Sequence, residues 1–145
     1  METYSKTYEV RWADMDPNRH MRHSVYNDYA AHTRVALFAA HELPLEDIAR
    51  IGLGPILFRE ETRFLKEVAM SDTLTVHCSL QAMRKDGSRW TFLHEMYRGD
   101  GTKAAILTVD GAWINLETRK LGAFPPEMLN IVYRFPRSDD FSWLE

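Results

Sequence analysis

One segment constrains the fold of this chain more than any other, a helical stretch that is apolar around most of its circumference. Over residues 24–42, apolar side chains recur at three- and four-residue steps, and every residue of 35–40 is apolar. Such a helix must be covered on most of its sides, which a curved sheet can do. The pattern predicts one long helix wrapped by a sheet, with Ser24 as its N-cap.

Alternating apolar and polar residues on either side of this helix predict the strands. Residues 5–13 alternate before the helix, and four longer segments follow it at residues 56–68, 72–84, 88–98 and 103–117. Glycine-containing turns join the last three segments, as in antiparallel hairpins. The sequence therefore predicts an α+β fold in which a five-stranded antiparallel sheet wraps around one long central helix.

The length of the chain and the positions of its prolines indicate how the rest of it is organised. A short helix is predicted at residues 45–51, after Pro44 ends the long helix. Another is predicted at residues 125–134, where a proline stands at a favourable first-turn position. A chain of 145 residues fits one domain over residues 1–145, and no repeat or linker divides it. Long sheet edges in such a unit are usually paired, so we expect a homodimer or homotetramer.

Charge and cysteine content limit the partners of the protein. Eighteen Lys and Arg against 21 Asp and Glu give a net charge of -3, which lacks the basic excess of nucleic-acid-binding proteins. The uncharged stretches, such as residues 51–58, are much shorter than the ~20 residues that span a bilayer. Cys78 is the only cysteine, so no intramolecular disulfide can form. We expect a cytoplasmic protein that binds neither nucleic acid nor membrane.

Polar residues concentrate between the first strand and the long helix. Two carboxylates, Asp14 and Asp16, and two imidazoles, His20 and His23, lie there within ten residues. A carboxylate at a helix start lies beside backbone N–H groups that can stabilise an oxyanion, as the hydrolysis of an activated acyl group requires. From the residues alone, the alternative that both carboxylates only cap loop turns stays open.

This segment resembles the signature of the hotdog-fold acyl-CoA thioesterases of the 4-hydroxybenzoyl-CoA thioesterase type. The residues that match the family pattern Asp-x-Asp-x-x-Gly-His-x-Asn-Asn-x-x-Tyr are Asp14, Asp16, His20 and Tyr26. A second pattern of the family, with Tyr, Asp and His, corresponds to Trp12, Asp16 and His23. The order of strand, helix and four-stranded meander is also that of the family, so the resemblance covers most of the chain.

The sequence also departs from these patterns. Arg19 replaces the usual glycine, Arg22 and His23 replace the asparagine pair, and Trp12 replaces the tyrosine. These changes are compatible with the fold and bear on substrate and activity.

The resemblance implies an acyl-CoA thioesterase that works without a metal or other cofactor. Asp16 would activate water as a general base or attack the thioester carbonyl directly. Backbone N–H groups near residues 23–25 would bind the oxyanion. His23 would orient Asp16 or the carbonyl, or protonate the leaving thiolate, with a solvent-facing histidine as its alternative.

Four further residues are candidates for substrate binding. Trp12 and Tyr26 could line an acyl tunnel, and Glu61 could reach the site of a neighbouring subunit, although a solvated strand carboxylate is its alternative. His20 is also a binding candidate, although a structural role that fastens the loop to the sheet is the favoured interpretation. His20 and His23 supply only two nitrogen ligands, so no metal site is expected.

Two other functions on the same fold stay open at this point. One is a hydratase or dehydratase of acyl thioesters, which needs a histidine base beside an acidic partner. The other is a protein that binds an acyl thioester without hydrolysing it, since a fold alone does not decide function.

Overall fold

The computed structural model describes residues 3–145, which form six strands and three α-helices. The strands are β1 (Ser5–Glu9), β2 (Leu53–Phe64), β3 (Thr73–Arg84), β4 (Arg89–Arg98), β5 (Lys103–Asn115) and β6 (Arg137–Leu144). The helices are α1 (His23–Ala40), α2 (Leu45–Arg50) and α3 (Pro126–Tyr133). A single 3-10 turn, Trp12–Asp14, lies between β1 and α1.

The sheet wraps α1 as predicted, and the α+β hotdog architecture is confirmed. Its strand order is β1-β3-β4-β5-β2, and all neighbours on this path are antiparallel. Along β3 the residues Leu74, Val76, Cys78 and Leu80 are buried beneath the helix, while the alternate residues face outward and are half-buried. This alternation gives the sheet an apolar inner face against which α1 packs.

The sheet has six strands, and the predicted number of five is wrong. Strand β6 pairs in parallel with β3 between Leu80 and Arg84, beyond the stretch of that edge that β1 occupies. Strand β6 lacks the apolar alternation of the other strands, because it contains the polar residues Ser138, Asp139 and Asp140. Because its partner lies more than fifty residues away in the chain, only tertiary pairing reveals this strand.

The connection from β1 to α1 differs from the prediction at both ends. Strand β1 ends at Glu9, so the expected strand over residues 5–13 is too long, and the chain turns at Trp12–Asp14 instead. The prediction of Ser24 as N-cap is also wrong, because α1 begins at His23 with Arg22 as its N-cap. The N–H of Arg22 donates to the carbonyl of Asp14 at 2.8 Å, which turns the chain into the helix early.

Aromatic side chains fill the core at the C-terminal half of α1. The ring of Phe38 lies 5.7 Å from that of Trp113 and 4.9 Å from that of Phe135, both edge-on. Burying one such side chain stabilises the fold by about 1.5–3 kcal/mol. The core therefore fixes α1 on the sheet at the end opposite to the polar loop. No helix within residues 3–145 is long and apolar enough to cross a membrane.

Candidate functional site

The loop before α1 is closed by its own backbone. The N–H of Asp16 donates to the carbonyl of His20 at 2.8 Å, and Met15 pairs with Met21 across the loop. Arg19 turns the chain with a φ of 65°, in the left-handed region where glycine is the least strained residue. The N–H of Met21 donates to the carbonyl of Val68 at 2.6 Å. This bond fastens the loop to the segment between β2 and β3.

Asp14 anchors the 3-10 turn from inside the protein. Its carboxylate is fully buried and accepts hydrogen bonds from the backbone N–H of Arg11 at 3.0 Å, from the Arg11 guanidinium at 2.9 Å, and from the Tyr29 hydroxyl. Burial alone would raise the pKa of Asp14, but the hydrogen bonds from Arg11 and Tyr29 outweigh it and lower the pKa. Burial and the contact with Asp14 raise the pKa of Tyr29 to about 12. Asp14 is therefore a structural carboxylate.

Asp16 is held through one oxygen only. Its Oδ1 accepts hydrogen bonds from the backbone N–H of Asn18 at 2.8 Å and of His20 at 3.1 Å. Within residues 3–145, Oδ2 accepts no hydrogen bond. The carboxylate is thus fixed in orientation while one oxygen is available for proton transfer or nucleophilic attack.

The start of α1, which follows the Asp16 loop in the chain, supplies free backbone donors. The N–H of Val25 already donates to the carbonyl of Arg22 at 3.1 Å. The N–H groups of His23 and Ser24 find no acceptor in the part of the chain that the structure describes. Two adjacent donors at the positive end of a helix can stabilise an oxyanion.

The structure places the two histidines at the surface of the loop. His23 is exposed at the first position of α1, and its imidazole makes no hydrogen bond to Asp16 or to any other described residue. His20 is exposed as well, and its contacts with Asp16 run through its backbone. Either imidazole can therefore take part in a reaction only by contacting a bound ligand directly.

The other predicted site residues lie in three different surroundings. Tyr26 is buried with its ring edge-on to Phe64, 5.0 Å between centroids. Burial raises the pKa of Tyr26, and the nearby carboxylates of Asp16 and Glu67 raise it further. Trp12 is exposed on the 3-10 turn, and Asp16 lies in the same cleft.

Glu61 is separated from this group. It is exposed on β2, where its carboxylate accepts a hydrogen bond from Arg59 at 2.5 Å. The structure thus brings Trp12 and Asp16 together in one cleft, places Tyr26 in the interior on α1 and leaves Glu61 on β2. Among residues 3–145, no three His, Cys, Asp or Glu side chains gather as a metal site.

Two parts of this site were not predicted from the sequence. Tyr29 holds Asp14, although helical spacing showed it only as a core residue. The far wall of the cleft comes from Ala69, Met70 and Ser71. No local pattern could have linked this wall to Asp16, because the two segments are more than fifty residues apart and meet only in the folded chain.

Fold and loop together define a hotdog protein with a free carboxylate oxygen at the start of its wrapped helix. The model of the thioesterase-like superfamily matches residues 10–132, and the chain belongs to that superfamily. No protein of curated function matches the sequence.

Solved structures share the fold at low sequence identity. A hypothetical protein of Staphylococcus aureus, solved in complex with CoA, is 23% identical with a TM-score of 0.85, over 99% of this chain and 90% of that one. A DHNA-CoA thioesterase of the same organism is 14% identical with a TM-score of 0.84, over 92% and 91%. A 1,4-dihydroxy-2-naphthoyl-CoA thioesterase of Synechocystis is 16% identical with a TM-score of 0.81, over 92% and 97%.

Proposed function

We propose that this protein is an acyl-CoA thioesterase, which hydrolyses a thioester to a free acid and the CoA thiol. The observation that carries the proposal is the state of Asp16, with Oδ1 fixed by two backbone N–H groups and Oδ2 free. Membership of the thioesterase-like superfamily supports the reaction class. The similar fold of a protein solved with CoA supports the carrier.

The proposed reaction needs only groups of the loop and the helix start. The carbonyl oxygen of the thioester accepts hydrogen bonds from the N–H groups of His23 and Ser24. Asp16 Oδ2 takes a proton from water, the resulting hydroxide adds to the carbonyl carbon, and the carbon–sulfur bond then breaks. The thiolate leaves and is protonated by water or by His23, and Asp16 returns the proton that it took to the solvent as the acid is released.

A covalent route uses the same atoms in a different order. Asp16 Oδ2 attacks the carbonyl carbon, the thiolate leaves, and water then hydrolyses the mixed anhydride. A single turnover in heavy-oxygen water distinguishes the two routes. The anhydride route can place the label in Asp16, whereas the general-base route places it only in the released acid.

The remaining candidates have defined places in this proposal. Trp12 and Tyr26 contact the substrate, since they lie on the cleft wall and near Asp16, respectively. His20 acts through the backbone N–H that holds Asp16. Glu61 faces the site of a second subunit from β2.

We further propose that residues 1–145 form a single domain that assembles as a homodimer or homotetramer through β2. This strand is at the edge of the sheet, and no described strand covers its outer side. Leu57, Phe58 and Phe64 are each about half exposed along it, at 45%, 52% and 55%. Long apolar edges of this kind are usually paired. Light scattering tests the assembly, and a monomer at micromolar concentration contradicts it.

The test of the proposed function is thiol release from short, long and aromatic acyl-CoAs by wild type and Asp16→Asn. Hydrolysis by wild type and its loss in the variant are expected. Tight binding without turnover in either protein would instead indicate an acyl-thioester-binding protein. A hydratase would need a histidine held by an acidic partner, and His23 makes no such contact in residues 3–145.

A further inference from the structure

The cleft that contains Asp16 has an exposed aromatic wall. Its volume is about 930 Å³, and it is lined on one side by the loop before α1 and on the other by Ala69, Met70 and Ser71. Trp12 is 80% exposed, more than any other large apolar residue among residues 3–145. An exposed indole does not stabilise the fold as a buried indole would.

The backbone of Trp12 is anchored although its side chain is exposed. It belongs to the 3-10 turn, in which the N–H of Met15 donates to the Trp12 carbonyl at 3.1 Å. The buried carboxylate of Asp14, two residues further on, ties this turn to Arg11 and to Tyr29 of α1. A solvent-facing indole on an anchored turn is suited to stacking against a planar ligand, because the backbone that carries it loses little conformational entropy on binding.

A free cation lies on the same cleft. Arg19 lines it, and its guanidinium forms no ion pair or hydrogen bond with any residue that the structure describes. The neighbouring arginines are occupied, since Arg11 pairs with Asp14 and Arg22 donates to the carbonyl of Ala13. Arg19 also adopts a left-handed backbone that is strained for any residue with a side chain.

We propose that Trp12 and Arg19 clamp the nucleotide end of coenzyme A, with the adenine stacked on Trp12 and a phosphate bound by Arg19. A purine and its phosphates match an aromatic surface flanked by a free guanidinium in both shape and charge. Because Asp16 lines the same cleft, a thioester arm leaving this clamp enters the space beside Asp16. The inference rests on the proposed function, and it identifies coenzyme A rather than a carrier protein as the thiol that carries the acyl group.

Two substitutions test the clamp without disturbing the core. Trp12→Ala removes the stacking surface from an exposed position, and Arg19→Gly removes the cation while relieving the left-handed backbone. Matched controls are Trp143→Ala, at a partly exposed tryptophan on β6, and Arg119→Gly, at another arginine with a positive φ of 64°. Circular dichroism verifies that all four variants fold.

The first measurement is binding of adenosine 3′,5′-bisphosphate by calorimetry, with tryptophan fluorescence as a second signal. Each clamp variant is expected to bind the probe about tenfold more weakly than wild type, while both controls bind as wild type does. Trp12→Ala should also lose the fluorescence change. The proposal is overturned if wild type does not bind the bisphosphate detectably, or if the clamp variants bind it as tightly as wild type does.

The second measurement compares hydrolysis of matched acyl-CoA and acyl-pantetheine thioesters, which differ only in the nucleotide. Wild type should show the lower KM for the CoA thioester, and this preference should shrink about tenfold in each clamp variant. Equal KM values in wild type overturn the clamp but leave the thioesterase proposal intact. Clamp-dependent binding of the bisphosphate without hydrolysis of either thioester would overturn the thioesterase proposal alone.

Discussion

The hydroxyl of Tyr29 donates a hydrogen bond to the buried carboxylate of Asp14 and so joins α1 to the 3-10 turn in front of it. Asp14 stands two residues before Asp16, and its carbonyl accepts the N–H of Arg22 at the helix start. The buried carboxylate therefore helps to set the position of the half-buried one.

Removing the charge of Asp14 should destabilise the fold. Asp14→Asn leaves the Arg11 and Tyr29 donors poorly matched, which costs about 1–3 kcal/mol, and Tyr29→Phe costs about 1 kcal/mol. Urea unfolding measures both values. Asp139→Asn, at an exposed position of β6, serves as the control and should stay within about 0.5 kcal/mol of wild type. Equal unfolding free energies for wild type and Asp14→Asn would contradict the structural role.

Asp16→Asn should lower the rate of hydrolysis and leave the fold intact. The amide oxygen of asparagine can still accept the N–H groups of Asn18 and His20, so the loop keeps its hydrogen bonds. The charged Oδ2 is lost, and kcat should fall by about 10²- to 10⁴-fold. Steady-state thiol release together with thermal unfolding measures both properties. Normal hydrolysis by this variant would remove Asp16 from the mechanism.

His94 should make the protein less stable in mild acid. It is fully buried, with Nδ1 donating to the carbonyl of Leu107 at 3.0 Å and Nε2 accepting from Arg34 at 3.2 Å. Burial, and then the charge of Arg34, lowers the pKa of His94 to about 3.

The sign of the effect follows from this pKa. An unfolded histidine titrates near 6.5, so between about pH 6.5 and 3 the unfolded chain binds the additional proton. The contribution of His94 is fully present above about pH 6.5 and is lost progressively as the pH falls. His94→Gln should therefore show a shallower decline in unfolding free energy than wild type between about pH 6.5 and 5. Identical slopes would contradict the prediction.

Gly111 should not tolerate a side chain. A Cβ at this position would clash with the Trp90 ring and lie 2.5 Å from the carbonyl oxygen of Ile56. Gly111→Ala should cost about 1–3 kcal/mol, because neither a buried indole nor a paired backbone can move away. In Gly54→Ala the added Cβ meets only the exposed and flexible side chain of Leu116, so its cost should be smaller. Thermal unfolding of both variants measures the difference.

Several parts of the fold could be predicted because their signals are local. The three- and four-residue steps over residues 24–42 indicated α1, and the strict alternation around Leu74 and Val76 indicated β3. The glycine-containing turns then indicated that the strands they join pair as antiparallel hairpins. These features need only the periodicity of helix and strand and the backbone freedom of glycine.

The site could be predicted less completely. The spacing of Asp14, Asp16, His20 and Tyr26 indicated the loop before α1, but it could not show which carboxylate is buried. That difference depends on Tyr29 reaching one carboxylate and on Asn18 closing a turn with the other. Contacts of this kind depend on distances that the chain acquires only when it folds.

Local patterns were thus sufficient to predict a wrapped helix, its antiparallel meander and a polar loop before the helix. Three features became visible only in the folded chain: β6 extends the edge of β3, Trp12 faces solvent, and Met70 shares a cleft with Asp16. The difference lies in the range of the interactions involved. Periodicity acts over a few residues, whereas strand pairing, burial and cleft formation join segments that only the folded chain brings together.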